Sequence, residues 1–311
     1  MKDEQLISVL MSIYKECVPR VSQAFDSIKR QTYQNLEIVI MLDCPEREDM
    51  KVYLEQISND DPRVKYYINE KNLGLLASLS LGIALCHGEF VCRMDEDDIA
   101  EPDRIEKQIK FIKRERVDLV GSYTRLIDME GKITGEIRRF PTRHKYLCQY
   151  LRYANAVPHP TWIVRKAVYE KLNGYRNIPC VDDYDFLIRV YLNGYKMGVV
   201  PEPLLRYRIN QKGMTQKNIA SQKIASLYLA RQISQKQIFP VDAIAEYRRE
   251  NKIKEIRLMN YYSIGKKWRN GEKIAVRHKI KMLFNRYNFI EIRQRLVCRW
   301  IVFKDGRYGN H

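Results

Sequence analysis

Two clusters of carboxylates carry the chemistry this sequence offers. The first, Asp95-Glu96-Asp97-Asp98, follows directly on the strand-like run Glu89-Phe90-Val91-Cys92-Arg93-Met94. On extended backbone Asp95 and Asp97 project to the same side. Adjacent carboxylates repel one another unless water or a cation neutralises them, and hard oxygen ligands suit Mg²⁺ or Mn²⁺ better than Zn²⁺. The alternative for this cluster is a solvated loop in which Asp98 or Glu101 caps a helix opened by Pro102. The second cluster, Asp182-Asp183-Tyr184-Asp185, precedes Phe186, Leu187 and Val190 at helical spacing. Here helix capping by Asp182 competes with a role as proton acceptor. One cluster suited to a cation and one suited to a base is a pairing that metal-assisted group transfer uses.

The elements that must hold these clusters alternate between strand and helix patterns. Ile7 to Ile13 is a short, nearly continuous apolar run, as expected for a strand covered on both faces, Leu36 to Leu42 repeats the pattern, and Val64 to Ile68 reads as a third strand. Val18, Val21, Phe25 and Ile28 fall at helical spacing, and further helices are expected up to about Ile57 and over Leu73 to Cys86. After the Glu89–Met94 strand, Pro102 should open an amphipathic helix through Ile105, Ile109 and Ile112. Val117 to Gly121 reads as a fifth strand. Such alternation predicts an α/β fold with a Rossmann-like, mostly parallel sheet and flanking helices. Ligands in such sheets bind beyond the carboxyl ends of the strands, where the first acidic cluster falls. From about residue 211 the strand pattern stops and helical stretches take over. The expected division is a catalytic domain over residues 1–210 and a helical region over 211–311 packed on it.

Charge is unevenly placed. The chain of 311 residues has 55 Lys+Arg against 38 Asp+Glu, a net +17. Residues 248–307 hold 18 Lys/Arg and five Asp/Glu, which places +13 of that excess in the helical tail. A localised basic region implies an anionic partner. In residues 273–303 apolar side chains (Ile274, Ile280, Leu283, Phe284, Phe289, Ile290, Leu296, Trp300, Ile301, Phe303) are interspersed with Lys and Arg. That mixture predicts helices facing an anionic membrane surface, with a basic bundle packed on the catalytic domain as the alternative. No RNP-like, helix-turn-helix or zinc-finger signature points to nucleic acid. No run of 18 apolar residues provides a spanning helix. Seven cysteines without a C-x-x-C pair, and a start Met1-Lys2-Asp3-Glu4-Gln5 that lacks the apolar run of a secretory leader, favour a reducing cytosol. His87, His144, His278 and His311 have no ligand spacing.

The order of several short motifs resembles that of family 2 glycosyltransferases of GT-A fold, the type that builds bacterial O-antigen and capsule repeat units. The resemblance spans roughly residues 6–210. Ser8-Val9-Leu10-Met11-Ser12-Ile13-Tyr14 is similar to the family's nucleotide-binding first strand and turn. Gln31-Thr32-Tyr33 and Glu37-Ile38-Val39-Ile40 resemble its helix end and second strand, and Asp43 stands where an aspartate contacts uracil. Asn72-Leu73-Gly74 resembles the N-x-G loop. Met94-Asp95-Glu96-Asp97-Asp98 with Pro102-Asp103-Arg104 resembles the D-x-D-D metal motif and P-x-R helix start. His159-Pro160-Thr161 and Asn173-Gly174-Tyr175 resemble the segment before the base. Asp182-Asp183-Tyr184-Asp185-Phe186-Leu187-Ile188-Arg189 is similar to E-D-Y-D-x-x-x-R, whose second acid is the base, and Leu205-Arg206-Tyr207-Arg208 resembles the closing strand.

The resemblance implies an inverting, metal-dependent hexosyltransferase. It assigns Asp183 as catalytic base, Asp97 and Asp95 as ligands of Mn²⁺ or Mg²⁺, and Ser12, Ile13, Tyr14, Asp43, Asn72, Asp95 and Glu96 as the nucleotide-sugar site. His159, Asp182, Arg206 and Arg208 become candidates for acceptor contact or support, with the two arginines either reaching the diphosphate or facing solvent. The implied donor is a UDP-sugar, galactose or glucose preferred and N-acetylhexosamine open. An undecaprenyl-diphosphate-linked sugar is the implied acceptor, and the implied place is the cytoplasmic face of the cell membrane, bound peripherally. Departures from the pattern are Leu42 and Cys44-Pro45 around Asp43, Ser80 for a common Asn, Asn210 for a frequent His, and Asp182 for Glu. Rival readings are a basic nucleic-acid-binding protein, a catalytically silent scaffold of the same fold, and a nucleotidyltransferase. The last would show a Gly-rich first turn where this chain has Tyr14-Lys15-Glu16.

Overall fold

A computed structural model describes residues 4–178, 180–209, 219–254, 256, 258–259, 262 and 286–307. Strands β1 (Ile7–Ile13) and β2 (Leu36–Leu42) are buried at every position, which is why their sequences are nearly continuous apolar runs, broken only by Ser8, Ser12 and Glu37. Between them lies α1 (Val18–Lys29), with Pro19 in its first turn and Val21, Ala24, Phe25 and Ile28 buried. Helix α2 (Glu48–Asp60) leads to β3 (Val64–Ile68), and α3 (Leu75–Leu85) leads to β4 (Phe90–Met94). Gly74 precedes α3 at φ 83°, left-handed backbone that favours glycine.

A two-residue strand β5 (Ile99–Ala100) precedes α4 (Arg104–Glu115), which starts two residues beyond Pro102. Then come β6 (Leu119–Ile127), β7 (Ile133–Arg138), α5 (His144–Leu151), β8 (Ile163–Arg165), α6 (Lys166–Lys171), α7 (Asp182–Leu192) and β9 (Met197–Arg208). The helical tail contributes α8 (Ile219–Gln235), α9 (Val241–Glu250) and α10 (Arg286–Arg307).

Among the described residues nine strands join one sheet in the order β3-β2-β1-β4-β8-β6-β9-β5, with β7 paired to β6. The first four strands are parallel, and the order reverses between β1 and β4, so the carboxyl ends of β1, β2 and β4 open on one crevice. Beyond β4 the sheet is mixed rather than mostly parallel. Strand β8 runs antiparallel to β4 and β6, whereas β9 is parallel to β6. The fifth sequence segment read as a strand, Val117 to Gly121, is the start of the longer β6. Pro201 and Pro203 interrupt the pattern of β9, and the register shifts opposite them, between Ser122 and Thr124 of β6, accommodate both prolines within a single strand.

The chain forms two compact units. The first comprises Met1–Leu147, Val157–Arg176 and Asn193–Asn210 and contains the sheet. Its core includes Val9, Met11, Ile38, Ile40, Cys92 and Met94 from the strands with Phe25, Ile105 and Ile109 from the helices, all under 4% exposed. The second comprises Cys148–Ala156, Asn177–Leu192 and Gln211–His311. There α7 packs on α8, and Ala220, Ile224 and Leu258 form a small core. A single cut at residue 210 therefore misses two segments, 148–156 and 177–192, that group with the C-terminal helices. Of the tail residues singled out above, Ile274, Ile280, Leu283 and Phe284 lie outside the described residues, as do His278, His311 and Asn210.

Candidate active site

The turns that leave β1, β2 and β4 are tied together by their own polar groups. The amide of Asp43 donates to the carbonyl of Ile13 at 2.7 Å, and the amide of Tyr14 donates to the Glu96 carboxylate at 2.8 Å. Asp43 is buried. Its Oδ1 accepts from Asn69 Nδ2 at 2.7 Å and from the Leu73 amide at 2.8 Å, and its Oδ2 accepts from the Gly74 amide at 2.8 Å. Asn72 Oδ1 also accepts from the Gly74 amide, at 2.9 Å. Asn69 Nδ2 reaches Ser78 Oγ at 3.1 Å, to which Ser12 Oγ donates at 3.2 Å. One buried network thus runs from β1 through α3 to the Asn72-Leu73-Gly74 loop, with the Asp43 carboxylate as its hub. Sequence reading missed Asn69 and Ser78, which no motif marks.

Neither Asp98 nor Glu101 caps α4. Asp98 is 1% exposed, and its Oδ1 accepts from the Arg208 amide at 2.8 Å. Its Oδ2 is buried without a hydrogen-bond partner. Glu101 pairs with Arg206, Nε to Oε1 at 2.8 Å and Nη2 to Oε2 at 3.1 Å. Oxygens of Asp95, Asp97 and Asp98 lie within 4.8 Å of one another, the one such group of potential metal ligands among the described residues. Burial pushes the carboxyl of Asp97 up to about 6, helped by the charge of Asp95. For Asp98 burial raises it well above the usual carboxylate range, with Asp95 and Asp97 adding to it. Burial lifts Glu96 to about 7, against the lowering effect of the Tyr14 amide. An orphaned buried oxygen within a set of crowded hard ligands is what a divalent oxygen-seeking cation satisfies, so the site fits Mn²⁺ or Mg²⁺. Asp98 joins Asp95 and Asp97 in that set, so the D-x-D-D run contributes three candidate ligands and the cap expected of Asp98 does not form.

Arginines from β4, α4 and β9 surround the acidic loop. Arg208 is buried; its Nε donates to the Asp97 carbonyl at 2.8 Å, Nη1 to the carbonyls of Met129 at 2.9 Å and Asp128 at 3.1 Å, and Nη2 to Gln23 Oε1 at 3.2 Å. Arg208 therefore ties the acidic loop to β9, and Arg206 is held by Glu101. Arg93 forms an ion pair with Asp95. Arg104 is fully buried and donates to the carbonyls of Arg93 at 2.8 Å and Pro160 at 2.9 Å and to Gln108 at 3.0 Å. Its charge stabilises ionised Asp98. No motif in the sequence marks either Arg93 or Arg104 for this role. His159 Nε2 lies 2.7 Å from the Tyr175 hydroxyl, which lies 3.0 Å from that of Tyr169. Burial, with Arg93 nearby, holds the imidazole well below its ordinary protonation range, so it is a neutral member of an aromatic cluster. Trp162 is core, with its indole N–H donated to the Val157 carbonyl.

In the second unit, the first turn of α7 carries three acids. Asp183 Oδ2 accepts from Asn155 Nδ2 at 2.6 Å, and its Oδ1 accepts from the Tyr184 amide at 2.7 Å. Asp185 is fully buried and paired with Arg189 at 2.8 Å, one turn along the helix. Asp182 and Asp183 are partly exposed. The acids of the cluster thus separate into Asp185, buried and paired with Arg189, and two partly exposed carboxylates, Asp182 and Asp183, the latter held by an asparagine that sequence reading missed.

The sequence model of the family Glycosyl transferase family 2 matches residues 8–189, more than half of the chain. The chain belongs to this family. It is 31% identical over 228 residues to the O-antigen biosynthesis glycosyltransferase WbnJ of Escherichia coli, covering 72% of this chain and 87% of that one. It is 26% identical over 212 residues to the Escherichia coli UDP-Gal:alpha-D-GlcNAc-diphosphoundecaprenol beta-1,3-galactosyltransferase, covering 68% and 76%. The mannosyltransferase PcManGT of Pyrobaculum calidifontis, solved with GDP-Man and Mn²⁺, has a similar fold, with a TM-score of 0.59 over 93% of this chain and 86% of that one at 13% identity. The glycosyltransferase has the GT-A fold, and the matched region contains the carboxyl ends of β1, β2 and β4 as well as Asp183.

Proposed function

We propose that this family 2 glycosyltransferase moves a hexose, galactose or glucose, from a UDP-sugar to a lipid-diphosphate-linked sugar with inversion, in bacterial surface-polysaccharide assembly. The names of the two Escherichia coli relatives support the pathway class and the type of donor and acceptor. The observation that carries the reading is the carboxylate group of Asp95, Asp97 and Asp98 with its orphaned buried oxygen at the end of β4. These three residues would hold Mn²⁺ or Mg²⁺, which when bound offsets the charge that develops on the departing diphosphate. Ser12, Ile13, Tyr14, Asp43, Asn72 and Glu96 line or support the nucleotide side, with residues 1–210 taken as the catalytic part and 211–311 as an appended region. In the Asp43 carboxylate, Oδ2 has fewer protein donors than Oδ1, so a nucleobase N–H would be accepted there. Asp183 takes the proton of the acceptor hydroxyl as that oxygen attacks the anomeric carbon opposite the leaving group, so one displacement turns an α-linked donor into a β-linked product. Asp182 supports that carboxylate, and His159 contributes an apolar wall rather than a proton. The enzyme is assigned to the cytoplasm, peripheral at the membrane where such acceptors are anchored. The test is transfer and hydrolysis from a panel of UDP- and GDP-sugars with and without Mn²⁺, read by mass spectrometry. Turnover that needs neither a nucleotide sugar nor a metal refutes the reading.

A further inference from the structure

Helix α10 has apolar residues on two opposite faces. On one, Cys298, Ile301 and Asp305 are buried. The Cys298 thiol is hydrogen-bonded with the Tyr150 hydroxyl, and Lys223 of α8 bonds Gln294. On the other, Leu296 is 61% exposed, Trp300 52% and Phe303 58%. Spacings of four and three align these three large side chains over two turns. Arg293, Arg295 and Arg299 are exposed as well, and Lys304 lies over the Trp300 ring at 4.1 Å. At about 100° per residue, Arg293 and Lys304 border the apolar line on one side and Arg295 and Arg299 on the other. No acidic residue occurs between 293 and 304. Among the described residues no helix is long and apolar enough to cross a membrane.

A helix already anchored by its inner face, with a second apolar line between two cationic borders, suits a bilayer interface. The apolar side chains enter the acyl boundary, the tryptophan sits at headgroup level, and Lys and Arg reach outward to phosphates. We propose that the Leu296–Trp300–Phe303 face of α10 docks this protein on an anionic lipid bilayer. A second copy of the chain fits less well, because a self-complementary contact would bring the cationic borders together. Nucleic acid would use the cations and leave the apolar line in water. The inference rests on the reading above only for its purpose, delivery of the enzyme to a lipid-linked acceptor.

The test uses the full chain and vesicles of phosphatidylcholine with or without phosphatidylglycerol, at low and high salt. Sedimentation with the anionic vesicles alone, and release by salt, is expected. Leu296→Ser/Trp300→Ser/Phe303→Ser should weaken vesicle binding at least tenfold, and Arg295→Gln/Arg299→Gln should weaken it and flatten its salt dependence. Brominated lipid should quench tryptophan emission in the wild type and less in Trp300→Phe, which keeps the apolar line. UDP–Mn²⁺ binding by calorimetry should be unchanged in every variant, which reports intact folding. Vesicle binding without UDP–Mn²⁺ binding in the wild type would refute the transferase reading and uphold the docking. Docking is overturned by a wild type indifferent to anionic vesicles, by a triple serine variant that binds them normally, or by one that only turns a dimer into a monomer.

Discussion

At the scale of single residues, the acidic loop is arranged against the stability of the metal-free protein. Three carboxylates share a small volume, one is fully buried with an unpaired oxygen, and the compensating cations Arg93, Arg104 and Arg208 act mainly through backbone carbonyls and one ion pair. Removing one charge should therefore stabilise the apo fold while harming function. Asp97→Asn is expected to raise the melting temperature in EDTA, weaken Mn²⁺ binding at least tenfold and abolish metal-dependent transfer; a lower melting temperature in EDTA would contradict the crowding. The same carboxylates set a pH dependence. Glu96 near 7 and Asp97 near 6 lie above their unfolded values of about 4. The folded state consequently holds more protons between about pH 4 and 7, and this contribution makes stability fall as pH rises through that window. By scanning fluorimetry the metal-free protein should melt several degrees lower at pH 8 than at pH 5.5, and both Asp97→Asn and saturating Mn²⁺ should reduce the difference. An apo protein more stable at pH 8 would show that other groups dominate.

At the scale of elements, the nucleotide side depends on how β2 and α3 are joined. Asp43 accepts the amides of Leu73 and Gly74, so its substitution disturbs the loop as well as any base contact. Asn69→Ala removes a donor from Asp43 without touching either amide. We expect Asp43→Ala to raise the donor KM more than it lowers kcat, since nucleotide recognition is largely uniform binding, and Asn69→Ala to do the same more weakly. An unchanged donor KM in both variants would remove the network from the site. Strands β1, β2 and β4 were legible because burial at every position leaves nearly continuous apolar runs, and β3 because it follows a helix at the spacing the alternation sets. Asp95, Asp97 and Asp183 were legible because acids cluster at the ends of such elements. Strand β5 is too short for periodicity, β7 is mostly exposed, and β9 contains two prolines, so the antiparallel half was not. Roles that depend on distant carbonyls, such as those of Arg208 and Arg104, have no local signature. Arg206 and Arg208 alternate on the closing strand as expected, yet their partners come from residues about a hundred positions earlier.

At the scale of the whole molecule, the residues given the two proposed chemical roles fall in different compact units. The carboxylates of the proposed metal site and the Asp43 network lie in the unit that contains the sheet, whereas Asp183, Asn155 and α7 group with the C-terminal helices. Helix α7 packs on α8, so the appended region contributes to holding the proposed base. That partition separates the consequences of substitution. Asp183→Asn preserves shape and can still accept from the Tyr184 amide through its remaining oxygen, but it replaces the oxygen that accepts from Asn155 with an NH2 group and removes the proton acceptor. Because the donor-side groups belong to the other unit, UDP–Mn²⁺ affinity should remain within about twofold while turnover falls by about 10²–10⁴, the usual contribution of a general base. Calorimetry and initial-rate measurements on the same preparation check both halves of this expectation. The anomeric centre adds an independent reading. With an α-linked donor, single displacement gives a β-glycoside, which the coupling constant of the product's anomeric proton distinguishes for galactose or glucose. An α product would require a second displacement and would remove Asp183 from the role of base, even if its substitution abolished turnover.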